Sequence, residues 1–216
     1  MIQNEKNITE PDNIVFLKHG NKYNHDHVNS LYEQLFFYYP NSHFHCYTEF
    51  FSGINLGINH IPIPEKNPLR LWWNKLALFS YYFPLIRKSL FFDIDVSVRS
   101  DPRKYIRWSP NNDITILNAY WKEDLYFAKH AYDVKINSSI ITWIPGTTGY
   151  IWNLFNTNRD YYMRKYKGID RFIEHENIPY ELFDDGVVNS VANKEMANAP
   201  IDIYNGMDYA VPRTII

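Results

Sequence analysis

The segment Ser89-Leu-Phe-Phe-Asp-Ile-Asp-Val-Ser-Val98 constrains this chain more than any other. Apolar residues lead into Asp93 and Asp95 and apolar residues follow, which predicts a central strand carrying two carboxylates. On a strand, residues i and i+2 point to the same side. Asp93 and Asp95 would present their carboxylates together, with Ile94 turned into the protein. Adjacent like charges on a buried strand are costly unless a cation, or the crevice at the sheet's carboxyl end, relieves them. Ligand sites of open α/β sheets lie at that end. Hard oxygen donors suit Mn2+ or Mg2+, which take substrate phosphates and water to complete their coordination. A metal so held would stabilise a departing diphosphate. The plainer reading is a strand-end pair facing solvent or bonded to backbone amides.

The surrounding chain allows such a strand to be buried. At 216 residues it is long enough for one sizeable core, and 45% hydrophobic against 21% charged residues is a globular balance. A net charge of −2 offers no large basic field, so nucleic acid is not the expected partner. The single cysteine, Cys46, excludes an internal disulfide and fits a reducing compartment. No run of about 20 apolar residues is present, so no membrane span is expected. Met1-Ile-Gln-Asn-Glu-Lys6 lacks the apolar stretch of a signal peptide, and a cytoplasmic protein is the expectation. Aromatic residues reach 18%, which supplies stacking platforms for sugars or bases or reflects codon bias alone.

Taken in order, residues 1–12 are polar and read as a flexible lead-in, and residues 13–216 as a single domain. Asn13 to Lys18 predicts a buried strand, and Val28, Leu31, Tyr32, Leu35 and Phe36 a helix capped by Asn24 or Asp26. His43 to Thr48 predicts a second strand. This is a βαβ unit, which implies a mostly parallel sheet with helices on its faces. Residues 52–68 read as a long connection rich in Gly, Asn and Pro, and Leu69 to Phe83 as a helix. Ser100-Asp-Pro-Arg103 predicts a turn into a helix. Strands are expected at Asp113–Asn118 and Asn137–Trp143. Helices are expected through Tyr150 to Phe155, over Asn158–Lys167 and over Gly168–Glu176. The fold class is α/β.

Two families use an apolar-D-x-D strand. In haloacid-dehalogenase-like phosphatases the first Asp is a nucleophile and the second an acid/base. That motif opens its domain, whereas here a βαβ unit precedes it, and no later G-D-x-x-x-D pattern follows. The broader resemblance is to nucleotide-sugar-dependent glycosyltransferases of the GT-A fold, of the kind found in bacteria and large-genome phages. Ile14 to Tyr23 resembles their first strand and nucleotide-contacting loop, and Trp72-Trp-Asn-Lys75 the W-x-K element ahead of the metal strand. Phe91 to Val96 resembles the D-x-D strand, and Asn137 to Trp143 the strand with an Asn-Ser pair beside the donor sugar. Gly168-Ile-Asp-Arg171 stands where relatives carry an acidic residue, commonly Asp followed by Gln.

The resemblance implies a Rossmann-type GT-A domain and a glycosyltransferase of hexosyltransferase type. It would move a sugar from a UDP- or GDP-sugar to a glycan or other hydroxyl acceptor. Lys18, Gly20 and Tyr23 would hold the nucleoside, or form a plain surface turn. Lys75 would pair with a phosphate or with Asp93 as a point charge, or be a solvated helix lysine. One of Trp72 and Trp73 is expected in the core. Asn137 and Ser138 would bond sugar hydroxyls. Asp170 would bond the donor sugar or, in an inverting enzyme, act as general base; otherwise it starts a helix. Asp93 and Asp95 would hold Mn2+ or Mg2+ on the diphosphate.

Relatives often add a third metal ligand, commonly His, after a strand like Arg213-Thr-Ile-Ile216, where this sequence stops. The expectation is a domain short of that ligand or a site without it, with Asp202 and Asp208 as nearby substitutes. His25, His27, His43, His45 and Cys46 raise the separate idea of a zinc site. A phosphatase and a non-catalytic nucleotide-sugar-binding protein are the alternatives to the transferase.

Overall fold

A computed structural model describes residues 10–64, 69–111, 113–122, 134–191 and 198–205. Its main sheet has seven strands in the order β3-β2-β1-β4-β7-β6-β8. These are β1 Asn13–Lys18, β2 His43–Thr48, β3 Ile58–Pro62, β4 Ser89–Phe92, β6 Ile114–Asn118, β7 Ile136–Trp143 and β8 Tyr180–Leu182. Strands β1, β2, β3 and β4 pair in parallel, as do β6 and β8, while β7 runs antiparallel to both β4 and β6. A second sheet, β5-β10-β9, comprises β5 Val96–Val98, β9 Val188–Ser190 and β10 Ile201–Ile203.

The pleat of the central strands sorts their side chains into two cores. All six residues of β1 are buried. Ile14 and Phe16 join one apolar cluster, and Val15 and Leu17 the other. Strand β4 does the same, with Leu90 and Phe92 on one side and Phe91 on the other. This is the period of two expected where both sheet faces are covered. One face is covered by helix α1 (His25–Tyr38), through Val28, Leu31 and Leu35, and by the small sheet. Asn24 caps α1, accepting from the Asp26 amide, and its own amide faces the His27 ring. The other face is covered by helices α2 (Gly149–Thr157), α3 (Arg159–Lys165) and α4 (Ile169–His175), with a 3₁₀ segment, Leu71–Phe79.

The sequence predicts an ordinary helix at that last position, and the 3₁₀ winding explains its residue pattern. With three residues per turn, side chains at i and i+3 eclipse. Trp73, Leu76 and Phe79 fall on one row and are buried at 4%, 0% and 1% exposure. Trp72 and Lys75 fall on another row and line a cleft, while Leu78 at the end of that row is buried in the core. Asn74, Ala77 and Ser80 follow Leu71 on the third row and line a separate apolar cavity, while Leu71 itself lines the cleft.

Three other expectations are corrected. The connection 52–68 holds an edge strand, β3. Residues 100–105 make a bend and then a turn, with no helix. The two aspartates lie in the break between β4 and β5 and not within a strand. Residues 213–216 and Asp208 lie outside the described residues, as does most of the 1–12 lead-in. No helix among the described residues is long and apolar enough to cross a membrane.

Candidate functional site

The reversal of β7 builds the site. Phe92, the last residue of β4, pairs with Ile140, and the Asp93 amide donates to the Ser139 carbonyl at 2.8 Å. Because β7 runs antiparallel, its beginning lies beside the end of β4. Asn137, Ser138 and Ser139 thus meet Asp93, Ile94 and Asp95 at the carboxyl edge of β1 and β4. Ile94 is buried with Phe92 and Leu90, so the aspartates on either side of it turn outward. The break in the strand keeps the alternation that a continuous strand would have given.

A cleft of about 550 Å3 opens here, lined by His19, Gly20, Tyr23, Trp72, Lys75, Asp93, Asp95, Asn137 and Ser138 among others. Lys75 reaches in from the 3₁₀ segment. Its Nζ lies 2.6 Å from Asp93 Oδ2 and also donates to the Ser138 carbonyl at 3.1 Å and to Ser138 Oγ at 3.3 Å. The Lys75 side chain is 7% exposed and that of Asp93 21%. Burial pushes the Asp93 carboxyl above the usual carboxylate range, Lys75 opposes that rise, and the nearby Asp95 adds to it. The Tyr23 hydroxyl donates to Asp95 Oδ2 at 3.2 Å, and the Lys22 ammonium lies 4.8 Å from the Tyr23 ring centre. Burial lowers the proton affinity of His19 against the pull of Glu49, with Lys75 and Lys18 acting the same way as burial.

Gly20 turns the chain out of β1 with φ +61°, a conformation that side chains disfavour. Lys18 is buried at the end of β1 and does not line the cleft; its neighbours Leu17 and His19 do. Trp72 lines the cleft, while Trp73 stacks on Phe155 at 5.4 Å and 12° in the core.

Trp72, Asn137, Ser138 and Asn205 are shared with an adjoining cavity of about 430 Å3, where Asp170 stands. Gly168 ends against the indole: a Cβ there would sit 3.2 Å from Trp72 Nε1. Asp170 is in the first turn of α4. Its Oδ1 accepts from the Ser138 amide at 3.1 Å, and its Oδ2 lies 3.2 Å from Lys122 Nζ. Lys122, Arg171, His19 and Ser139 are site residues that the sequence pattern does not single out. Lys122 lies four residues beyond β6, and its Nζ also donates to the carbonyl of Ile136 in β7.

The cleft's donor set suits a hard divalent cation. The Asp95 carboxylate adds to the rise in the proton affinity of the buried Asp93 carboxyl, a strain that a cation relieves. Mg2+ and Mn2+ are commonly held by one or two carboxylates plus substrate phosphates. Asp202 is engaged elsewhere, at 3.2 Å from Arg99 Nε and 2.7 Å from Asn189 Nδ2. Among the described residues no group of three or more His, Cys, Asp or Glu could hold a metal, which removes the zinc idea. His25 pairs with Asp26, His27 serves the α1 cap, His45 bonds Asn13, and Cys46 is buried.

No protein-family model and no curated protein matches the chain. Solved structures do. The galactosyltransferase LgtC, in complex with donor and acceptor sugar analogues, is similar over 90% of this chain and 87% of its own, with TM-score 0.63 and 14% identity. The glycosyltransferase GlyE of Streptococcus pneumoniae TIGR4, in its apo form, is similar over 93% of this chain and 55% of its own, with TM-score 0.60 and 14% identity. A glycosyltransferase involved in glycosylation of the major capsid of PBCV-1 is similar over 89% of this chain and 93% of its own, with TM-score 0.56 and 14% identity. The chain has the fold of these enzymes, the GT-A glycosyltransferase fold.

Proposed function

We propose that the protein is a metal-dependent glycosyltransferase that moves a sugar from a UDP- or GDP-sugar to a glycan or other hydroxyl acceptor. The observation that carries this reading is the meeting of Asp93 and Asp95 with Lys75, Asn137 and Ser138 in one cleft at the carboxyl edge of the sheet. Asp93 and Asp95 would hold Mn2+ or Mg2+ against the donor diphosphate. The ion would act as a Lewis acid on the leaving group. Lys75 holds Asp93 in place and supplies a second positive charge near the phosphates. Gly20, His19 and Tyr23 form the nucleoside wall, with the Tyr23 hydroxyl fixing Asp95. Asn137 and Ser138 offer donors and acceptors to the sugar hydroxyls.

Asp170 faces the sugar and acceptor from the adjoining cavity. Its carboxylate also ties α4 to the start of β7, so it orients the sugar side of the site whether or not it takes a proton. The single cysteine, Cys46, buried and free, suits the reducing cytoplasm. The fold, shared with solved glycosyltransferases, favours this account over a haloacid-dehalogenase-like phosphatase.

A thermal-shift screen of UDP- and GDP-sugars, with and without Mn2+, tests the reading, since a bound ligand raises the melting temperature by mass action. A shift that needs both nucleotide sugar and metal supports it. No shift with any donor, or turnover of an aryl phosphate, contradicts it. Donor binding with neither hydrolysis nor transfer points to a non-catalytic nucleotide-sugar-binding protein.

A further inference from the structure

The 3₁₀ segment that carries Lys75 into the donor cleft also walls a second space, a cavity of about 470 Å3. Cavities that hold small molecules run from about 300 to 1,000 Å3. Ile61, Ile63 and Phe83 line it and are buried, while Tyr82 lines it at 92% exposure and marks its mouth. Polar groups on the wall are bonded within the chain. Asn74 Nδ2 donates to the Leu69 and Leu71 carbonyls at 2.8 and 2.9 Å, Ser80 Oγ accepts from the Tyr82 amide at 3.1 Å, and Asn156 Oδ1 accepts from Arg159 Nε. Arg159 is the one charged group among the described lining residues. Its guanidinium centre lies 5.0 Å from the Trp152 ring centre, and no ion pair among the described residues neutralises it.

We propose that this cavity takes the aliphatic tail of a single amphiphile whose anionic head, a carboxylate or a phosphate, is met by Arg159. An apolar interior rewards each buried methylene and penalises a polar group that finds no partner there. A sugar would bring several hydroxyls to a wall whose amides already serve the chain. An aliphatic tail brings none. Guanidinium forms charge-assisted, paired hydrogen bonds to oxyanions, and the Trp152 ring holds that of Arg159 flat on one side. One cation beside an apolar interior therefore matches one anionic head on one tail. This site is separate from the donor cleft and stands whether or not the protein transfers a sugar. The two spaces share only the 3₁₀ segment, with Asn74 and Ala77 turned to one and Trp72 and Lys75 to the other.

NMR titrations of the full chain with octanoate, decanoate, octyl phosphate and 1-octanol, all below their micelle concentrations, test this. The Trp152 indole and Ala77 methyl signals are expected to move while the Trp72 indole signal does not. At least one eight-carbon anion is expected to bind roughly tenfold more tightly than 1-octanol, the scale of one charged hydrogen bond. Decanoate should bind roughly tenfold more tightly than octanoate, the scale of two buried methylenes. Octyl phosphate ahead of octanoate identifies a phosphate head; the reverse order identifies a carboxylate. Arg159→Gln, at a partly exposed position, is expected to remove the preference for the anion and leave 1-octanol binding unchanged, and Arg159→Lys to keep part of the preference. Ala77→Leu, which narrows the cavity, should weaken all four. No uptake of any amphiphile, as for a cavity filled by the chain itself, overturns the proposal. So does equal affinity for octanoate, octyl phosphate and 1-octanol, no gain with tail length, or an anion preference that survives Arg159→Gln.

Discussion

Lys75 Nζ and Asp93 Oδ2 lie 2.6 Å apart, joined across the gap between the 3₁₀ segment and the end of β4. The pair is mostly out of solvent, and removing one partner of such a pair strands the other charge. Lys75→Met is expected to destabilise the fold by about 2 kcal/mol, less than the full penalty because burial raises the proton affinity of the Asp93 carboxyl, which can take up a proton once Lys75 is gone. Asp93→Asn in the same background should recover part of that loss. Urea unfolding of the two single variants and the double variant gives the coupling. Wild-type stability of Lys75→Met would mean that the pair does not hold the site.

The two neighbouring tryptophans separate packing from binding. Trp73→Ala is expected to cost about 3–5 kcal/mol, since it empties a fully packed position against Phe155 and Phe172. Trp72→Ala, at 44% exposure, should cost under about 1 kcal/mol. The second change should nevertheless weaken ligand binding to the cleft. Thermal melts and donor titrations on both variants check this, and equal destabilisation of the two would contradict the three-row arrangement.

Acid should weaken the fold through His45. Burial, with a smaller push from His43, holds its imidazole down to about 4, and Nε2 lies 3.2 Å from Asn13 Oδ1. An unfolded chain takes up this proton near pH 6.5, before the folded chain does. Between those values the unfolded state binds more protons, so stability falls as pH falls from 6.5 towards 4. Allowing for partial exposure, the effect is on the order of 1 kcal/mol. His45→Gln should flatten that limb of a stability-versus-pH curve, and an unchanged slope would assign the acid sensitivity elsewhere.

Cys46 is expected to be inert. Burial pushes its thiol up to about 12, against the opposing effect of Lys18. Thiolate is the reactive form, so a disulfide reagent at pH 8 should label the native chain only at the rate of unfolding. Fast stoichiometric labelling without denaturant would show that β2 is open at Cys46.

Strands β1 and β2 were readable to the residue, with the bounds that their sequence suggests. Edge strand β3 is hidden because Asn59 and His60 face solvent and Pro62 ends it, so it lacks the apolar run of a central strand. The 3₁₀ winding of Leu71–Phe79 has a visible cause, since Trp73, Leu76 and Phe79 recur every three residues, but period 3 and period 3.6 diverge little over nine residues. Asp93, Asp95 and Lys75 were legible as chemistry close together in sequence. The direction of β7 was not, and it brings Asn137 and Ser138 to them. Lys122 carried no local signal, because its partner Asp170 is 48 residues away.

The central claim is that Asp93 and Asp95 hold a metal on a nucleoside diphosphate. Calorimetric titration of the wild-type chain and of Asp95→Ala with UDP- and GDP-sugars, each with Mn2+ and with a chelator, tests it most directly. The expected result is binding of one donor that requires Mn2+ in the wild type and disappears in Asp95→Ala while the variant stays folded. Donor binding of equal strength in the chelator, or unchanged in Asp95→Ala, would contradict it.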